Sequence, residues 1–233
     1  MKNYACVFIV LIAFCSSSCT QLLTATFESD AINSPPAKDL PGDPAGDAIE
    51  FHAAMSPQLK VQNSSVLGGK ALYYSDIEVD NPPPLSSRWI SFKAKDANLM
   101  ETIWFKHTGE NVGSIILIDV SDGSLGLIAR MRIMPDGEVA LSTALNDNYS
   151  DVIGDLDMGS HTIIFTATAS TLKYNVTILQ SSGETITATD KPMITQNKLS
   201  FANPANPTLS FLHEGSAGVS YAIGSVDISR KKP

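Results

Sequence analysis

The sequence predicts an all-β protein, a two-sheet antiparallel β-sandwich or jelly roll with little or no helix. Short runs such as Trp89–Lys95 and Leu127–Met134 alternate apolar and polar side chains, which is the pattern of half-buried strands. Turn sequences such as Pro135-Asp136-Gly137 and Ser182-Gly183 separate these runs. Many short strands joined by Gly, Pro and Asp turns are typical of sandwiches and jelly rolls.

The predicted strands follow one another closely along the chain. In order they are Thr26–Glu28, Ala48–Ala53, Leu59–Val61, Ala71–Ser75, Trp89–Lys95, Thr102–His107, Ile115–Val120, Leu127–Met134, His161–Thr168, Leu172–Leu179, Glu184–Thr189, Thr208–Leu212 and Val219–Ile228. Asp96–His107 also fits a helix capped by Asp96, but its neighbours favour a strand from about Met100. Thr108-Gly109 reads as a turn. The proline-rich breaks leave segments too short for separate cores, so we assign residues 26–233 to one sandwich domain.

The first 18 residues predict a secretory signal peptide. Lys2 provides a positive start, an apolar run from Ala5 to Cys15 follows, and Ser16-Ser17-Ser18 are small residues before Cys19. Eleven apolar residues are too few to cross a bilayer, which takes about 20.

The position of Cys19 resembles the lipobox of bacterial lipoproteins, in which the cysteine is lipidated after cleavage just before it. Cys6, Cys15 and Cys19 are the only cysteines, so the mature chain would keep one, at its N-terminus. The resemblance implies a lipid-anchored protein with a tether over residues 19–25. Thr20, where inner-membrane retention would use Asp, implies an outer-membrane lipoprotein of the bacterial envelope. The alternative is ordinary secretion with an incidental cysteine.

Several short segments resemble the concanavalin A-like lectin/glucanase superfamily. Met158–Phe165 followed by Leu172–Val176 is similar to a laminin-G-type hairpin, with Ser160 where that family has tryptophan. The first and last predicted strands resemble those of exported carbohydrate-binding jelly rolls. In such proteins the termini pair, and the resemblance implies that Glu28 and Asp227 hold a structural calcium ion.

The sequence does not predict a catalytic centre. The paired acids of glycosidases on this fold, Glu-x-Asp-x-x-Glu, are absent. The histidines His52, His107, His161 and His213 are far apart and lack metal-ligand spacing. No Gly-x-Ser-x-Gly elbow or phosphate-binding glycine loop is present. These absences favour a binding protein over an enzyme.

A set of aromatic and basic residues is the candidate ligand-binding surface. In the strand phases above, each member lies opposite the aliphatic face of its strand. If the strands are neighbours, all six share one sheet surface. Aromatic rings stack on sugars, and guanidinium groups pair with carboxylates. The candidate residues are Trp89, Lys93, Trp104, Lys106, Arg130 and Arg132. Alternatively, the tryptophans pack under loops with the cations at the rim.

Three functions follow in order of preference. The first is a non-catalytic, lipid-anchored protein that binds a glycan or another extracellular ligand. The second is a structural lipoprotein that docks on an envelope protein, and the third is a glycosidase-like enzyme. Nucleic-acid binding is excluded, since the net charge is −8 and phosphate neutralisation by Lys and Arg dominates that affinity. Residues 1–18 carry one lysine and no acid, which gives −9 after cleavage.

Overall fold

A computed structural model describes residues 19–40, 48–75, 88–94, 102–111, 113, 115–122, 126–144, 148–194, 206–214 and 220–231. The predicted signal peptide lies outside the described residues. Among the described residues, no helix is long and apolar enough to span a membrane.

The described residues form fifteen strands and one 3₁₀ helix. The strands are β1 (Cys19–Thr26), β2 (Ile49–Glu50), β3 (Leu59–Ser64), β4 (Gly69–Ser75), β5 (Ile90–Lys93), β6 (Thr102–Asn111), β7 (Ile116–Asp122), β8 (Gly126–Ile133), β9 (Glu138–Leu141), β10 (Asp151–Asp155), β11 (Gly159–Thr168), β12 (Lys173–Gln180), β13 (Thr185–Pro192), β14 (Thr208–His213) and β15 (Ser220–Lys231). The helix, Ala53–Gln58, precedes β3, and the His52 side chain caps it by accepting a hydrogen bond from the Ala54 amide.

The strands form two antiparallel sheets. Sheet A has the order β13-β12-β11-β6-β15-β4-β3, and β1 pairs with the C-terminal part of β15. Sheet B has the order β10-β9-β8-β7-β14-β5-β2. The chain passes from sheet B to sheet A between β5 and β6 and returns to sheet B at β7. This crossing decides which residues share a surface.

The core lies between the two sheets and follows the alternation of each strand. On β11, for example, every second residue from His161 to Ala167 is buried. Phe92 and Phe211 of sheet B meet edge to face at 5.8 Å between ring centroids, and Phe27 contacts Phe92 at 6.3 Å. Burying a phenylalanine of this kind stabilises a fold by about 1.5–3 kcal/mol. The inner faces therefore hold the two sheets together.

The predicted all-β sandwich is confirmed, whereas several element boundaries are wrong. Residues 19–25 do not form a tether, because β1 is a full strand hydrogen-bonded to β15. Thr26–Glu28 was expected as a strand, but β1 ends at Thr26. Thr108-Gly109 lies inside β6 and is not a turn. Strands β9 and β10 were missed. The turn Pro135-Asp136-Gly137 between β8 and β9 is confirmed.

Candidate functional site

The structure separates the six predicted ligand-binding residues into two groups. Trp89 precedes β5, which carries Lys93, while Arg130 and Arg132 lie on β8, so these four belong to sheet B. Trp104 and Lys106 lie on β6, in sheet A. The inward neighbours of each group are buried, so the two groups occupy opposite outer surfaces of the sandwich. The expectation of one shared surface is wrong, because β6 lies in sheet A whereas β5 and β8 lie in sheet B.

The outer face of sheet B carries a polar row that crosses five strands. Glu50 of β2 pairs with Ser91 of β5, which pairs with Ser210 of β14. Ser210 pairs in turn with Asp119 of β7, and Asp119 with Arg130 of β8. The Ser91 and Ser210 hydroxyl oxygens lie 2.8 Å apart. The row is a chain of hydroxyl, carboxylate and guanidinium groups across the sheet.

The side chains of Trp89 and Arg130 lie over this row and contact each other. The Arg130 Nε and Nη2 atoms donate to the two Asp119 carboxylate oxygens, both at 2.7 Å. The Arg130 guanidinium carbon lies 5.7 Å from the centre of the Trp89 ring. Strands β5 and β8 are three positions apart, about 14 Å at the usual strand spacing. The two side chains therefore reach towards each other above β14 and β7, where the outward-facing Leu117 and Leu212 are buried.

A second arginine and ring lie beside the first pair. The Arg132 guanidinium carbon is 4.5 Å from the centre of the Tyr149 ring. Arg132 and Arg130 are two residues apart on β8, so both point to the same face. Contacts of this type stabilise by about 0.5–2 kcal/mol, depending on exposure. Each arginine restrains one half-buried aromatic ring on the outer face of sheet B.

Every cation predicted for this face lies near a carboxylate. Arg130 has its bidentate contact with Asp119, Arg132 Nη2 is 3.9 Å from a Glu138 carboxylate oxygen, and Lys93 Nζ is 3.4 Å from one of Glu50. The three pairs balance in charge. The face therefore offers hydrogen-bonding groups and aromatic rings without a net positive charge.

The other two predicted residues have different surroundings. Trp104 is half-buried on the outer face of sheet A, where β6 pairs it with Ser229 and Thr166. Lys106 is exposed and pairs with Asp227 of β15. Two of these neighbours are hydroxyl residues, and the described contacts bring no second aromatic ring to Trp104.

The predicted calcium residues are not brought together. The termini do pair, as expected, with Thr24 opposite Asp227 and their side chains 3.2 Å apart. Glu28 lies four residues beyond Thr24, where its carboxylate accepts a hydrogen bond from the Lys70 amide at 3.0 Å and borders a pocket of about 220 Å³. Within the described residues, no group of three or more His, Cys, Asp or Glu side chains is arranged to hold a metal ion.

An interior cluster of His107, His161 and Tyr221 connects three strands of sheet A. Both His Nε2 atoms lie within hydrogen-bond distance of the Tyr221 hydroxyl oxygen, at 2.8 Å for His107 and 2.7 Å for His161. All three side chains are buried, and Phe211 of sheet B packs on the His107 ring at 5.0 Å. Gly109 makes this arrangement possible, since a Cβ there would lie 2.5 Å from the Tyr221 hydroxyl oxygen.

Burial fixes the protonation of this cluster. Desolvation lowers the pKa of His161 to about 4, with the Gly159 carbonyl acting in the opposite direction. The pKa of His107 is lowered well below its usual value, mainly by desolvation and to a smaller extent by the charge of the neighbouring His161. Burial raises the pKa of Tyr221. Both imidazoles are therefore neutral at pH 7. A hydroxyl has one proton, so it donates to one Nε2 and accepts from the other, and the two histidines hold opposite tautomers.

The sequence interpretation missed the partners of the predicted residues. Asp119 lies in the predicted strand Ile115–Val120 but was not included among the candidate residues, although its outward phase was visible. Tyr149 lies outside every predicted strand, and Tyr221 is more than 50 residues from either histidine in sequence. Only strand order brings these groups into contact, and no local pattern encodes it.

Comparison with solved structures identifies the fold. The structure of peanut lectin with a nine-residue peptide aligns with 92% of this chain and 98% of the lectin chain. Its TM-score is 0.51 and its sequence identity is 12%. A protein of unknown function from Shewanella oneidensis MR-1 aligns with 92% of this chain and 87% of its own chain, with a TM-score of 0.52 and 13% sequence identity. An endo-1,3-β-glucanase from Streptomyces sioyaensis aligns with 93% of this chain and 98% of its own chain, with a TM-score of 0.50 and 13% sequence identity.

These similarities show that the chain has the concanavalin A-like lectin fold, as the sequence resemblance implied. At such identities they show the fold alone. No family model matches the sequence, and no curated protein matches it.

Proposed function

We propose that this protein is a non-catalytic binding protein that holds a neutral glycan on the outer face of sheet B, and that it is anchored to the bacterial outer membrane through a lipid on Cys19. The observation that carries the glycan proposal is the pair of restrained rings, Trp89 on Arg130 and Tyr149 on Arg132, beside the polar row of that face. Sugars present C–H faces that stack on aromatic rings and hydroxyls that exchange hydrogen bonds with such a row.

The charge pairing sharpens the ligand class. Two N–H donors of Arg130 are already hydrogen-bonded to Asp119. Lys93 lies close to the Glu50 carboxylate and Arg132 close to the Glu138 carboxylate. An anionic glycan would have to compete with those carboxylates for the arginine and lysine side chains, whereas binding of a neutral glycan does not require the ion pairs to break. Two of the similar folds, a lectin and a 1,3-β-glucanase, make a glycan ligand a reasonable class for this fold.

Retention on polysaccharide gels and glycan arrays tests the proposal. Wild-type protein should be retained by a neutral polysaccharide, and retention should change little between low and high salt because no net charge contributes. Trp89→Ala should abolish retention while near-ultraviolet circular dichroism shows an intact fold. Trp104→Ala is the matched control, since it removes the other tryptophan from the opposite surface.

The outcomes separate the alternatives. Loss of retention in Trp104→Ala with Trp89→Ala unaffected would place a glycan on sheet A and refute the proposed face. Blank glycan screens together with a stoichiometric envelope protein in a pull-down would support the interaction-protein alternative instead.

The lipid anchor has its own test. The proposal rests on the signal-peptide pattern and on Cys19 as the single cysteine of residues 19–233. Mass spectrometry of the membrane-extracted protein should find an N-terminal acylated cysteine in the wild type. Cys19→Ser should yield a precursor that is not acylated, and an unmodified Cys19 in mature wild-type protein would contradict the anchor.

A further inference from the structure

The pocket of about 220 Å³ beside Glu28 opens on sheet A at the point where the sheet divides. Strand β15 pairs with β4 as far as Ile223 and with β1 from Ser225 onwards, so its neighbour changes at Gly224. The division leaves a gap between the end of β1 and the start of β4. The pocket occupies this gap.

The floor of the pocket carries hydroxyl groups. Thr108 of β6 pairs with Ser225 of β15, and both residues line the pocket. Their neighbours His107 and Val226 are buried in the core, so Thr108 and Ser225 belong to the outer face. Among the described residues, neither hydroxyl has a hydrogen-bond partner. Both hydroxyls are therefore available to a bound molecule.

Leu67 forms an apolar wall, and the turn between β3 and β4 holds it in place. The Ser64 hydroxyl oxygen accepts a hydrogen bond from the Leu67 amide at 3.0 Å and donates one to the Glu110 carboxylate at 3.3 Å. A Cβ on Gly224 would lie 3.2 Å from Leu67 Cδ1. The absence of a side chain at residue 224 thus keeps the space beside Leu67 open.

Glu28 supplies the charge of the pocket. Its Oε1 accepts a hydrogen bond from the Lys70 amide at 3.0 Å, and a Cβ on Gly69 would overlap this oxygen. Within the described part of the chain, no cation lies at ion-pair distance from the Glu28 carboxylate. Lys70 is in phase with the buried Leu72, and its Nζ donates instead to the carbonyl oxygens of Glu28 and Asp30, at 2.8 and 2.7 Å. Glu28 Oε2 therefore remains an open acceptor.

We infer that this pocket binds a primary ammonium group carried on a short aliphatic chain. An ammonium group has three N–H donors and no acceptor, and Glu28 Oε2 with the hydroxyls of Thr108 and Ser225 supplies acceptors. The hydrogen bond to the carboxylate is charge-assisted, whereas a neutral molecule would leave the Glu28 charge uncompensated. Leu67 offers an apolar surface to the methylene groups.

The size of the pocket agrees with this ligand class. Its volume of about 220 Å³ lies below the roughly 300–1,000 Å³ of sites that enclose drug-sized molecules. One head group and a few carbon atoms fill such a space. The inference does not depend on the glycan proposed for sheet B, because the two sites lie on different sheets.

Titrations of ¹⁵N-labelled protein with pentylammonium chloride and with pentanol test the need for a charged head group. Pentylammonium should shift the amide signals of Gly68, Gly69 and Gly224 saturably, with a dissociation constant on the order of 1 mM, since so small a ligand gains little free energy. Pentanol should bind about tenfold more weakly, because hydrogen bonds to charged groups are stronger. Equal affinities, or no saturable shift at these glycines, would overturn the inference.

Substitutions in the pocket test the individual groups. Glu28→Gln removes the charge but keeps an acceptor for the Lys70 amide, and it should weaken pentylammonium binding about tenfold. Ser225→Ala leaves the charge in place and should weaken it about threefold. Glu184→Gln, at an exposed glutamate between β12 and β13, is the matched control and should bind like the wild type. Wild-type affinity in either pocket variant, or an equal loss in the control, would refute the assignment.

Two sources of the same ammonium group are then distinguished. Cadaverine represents a free diamine, and Nα-acetyl-lysine N-methylamide represents a lysine side chain of a peptide. Tighter binding of one of them identifies the source, since both present an ammonium group on an aliphatic chain. Glucose serves as the neutral polyhydroxyl probe. Tighter binding of glucose than of pentylammonium at the same glycines would show that the pocket is a sugar site and overturn the inference.

Discussion

The interior cluster and the outer face of sheet B use similar groups in opposite circumstances. The cluster joins two imidazoles through one tyrosine hydroxyl, entirely buried between the sheets. The outer face joins arginines to aromatic rings and carboxylates with part of each side chain in solvent.

The two regions differ in whether water can replace a hydrogen-bond partner that is lost. A buried polar atom that loses its partner has no water to replace it and costs about 1–3 kcal/mol. A pair that keeps part of its surface in solvent can exchange a contact for a hydrogen bond to water or to a ligand hydroxyl at a lower cost. We therefore assign the interior cluster to stability and the outer face to binding, and the predictions below test that division.

The largest expected effect is the pH dependence of stability. The His161 pKa is about 4 when folded and 6.5 when unfolded, so below pH 6.5 the unfolded state binds the proton first. The free energy of unfolding should be highest above pH 6.5 and fall by about 3 kcal/mol as the pH decreases to about 4. His107, whose pKa is also lowered, adds a further loss in the same direction. Urea denaturation at pH 7.5, 5.5 and 4.5 measures it.

His52 provides the control for this dependence. It is exposed and caps the 3₁₀ helix, and His52→Asn preserves a capping side chain. The variant should lose stability over the same pH range as the wild type. A wild-type stability that stays constant from pH 7.5 to pH 4.5 would mean that the histidines are not held neutral by burial.

Removing the hydroxyl that joins the two histidines has the next largest effect. Tyr221→Phe keeps the ring packing but leaves both Nε2 atoms without their partner, which should lower the free energy of unfolding by about 2–3 kcal/mol. Glycan retention should not change, because the outer face of sheet B is untouched. Denaturation curves and the retention assay together check this, and a destabilisation below about 0.5 kcal/mol would argue against the hydrogen bonds.

A smaller effect is expected on the outer face itself. Asp119→Asn removes the charge that Arg130 contacts while keeping one acceptor, with the two side chains 13% and 17% exposed. We expect a loss of about 1–2 kcal/mol in stability. Retention on neutral polysaccharide should also weaken, because Trp89 loses its fixed arginine. The double-mutant cycle with Arg130→Lys isolates the pair energy, and additive effects would show that no coupling exists.

The smallest effect is expected for a largely exposed ion pair. Lys173 and Asp190 have side chains 50% and 77% exposed, so Lys173→Gln should change stability by less than about 0.5 kcal/mol. Measured under the same conditions as Asp119→Asn, it sets the scale for a pair that solvent screens. Equal effects from the two variants would remove the distinction between the outer face and an ordinary surface.

Much of the local structure could be predicted from the sequence, and the site could be predicted only in part. Alternation located β8 and β11 within a few residues, because a period of two is enforced by burial on one side of each strand. Cys19 was placed in a tether because the sequence carries no sign of its partner, β15, more than 200 residues away. Trp89 and Arg130 were predicted to share a face and do so, whereas Trp104 does not.

The sequence by itself determined the fold class, the inward and outward phase of most strands, and the composition of each face. Those properties depend on neighbours two residues apart, which the chain displays directly. Tertiary structure alone decided which strands share a sheet. That choice placed Trp104 opposite Trp89, joined His107 to His161 through Tyr221, and brought the last strand beside Cys19. Strand order depends on long-range packing between whole faces, which no short segment of the chain specifies.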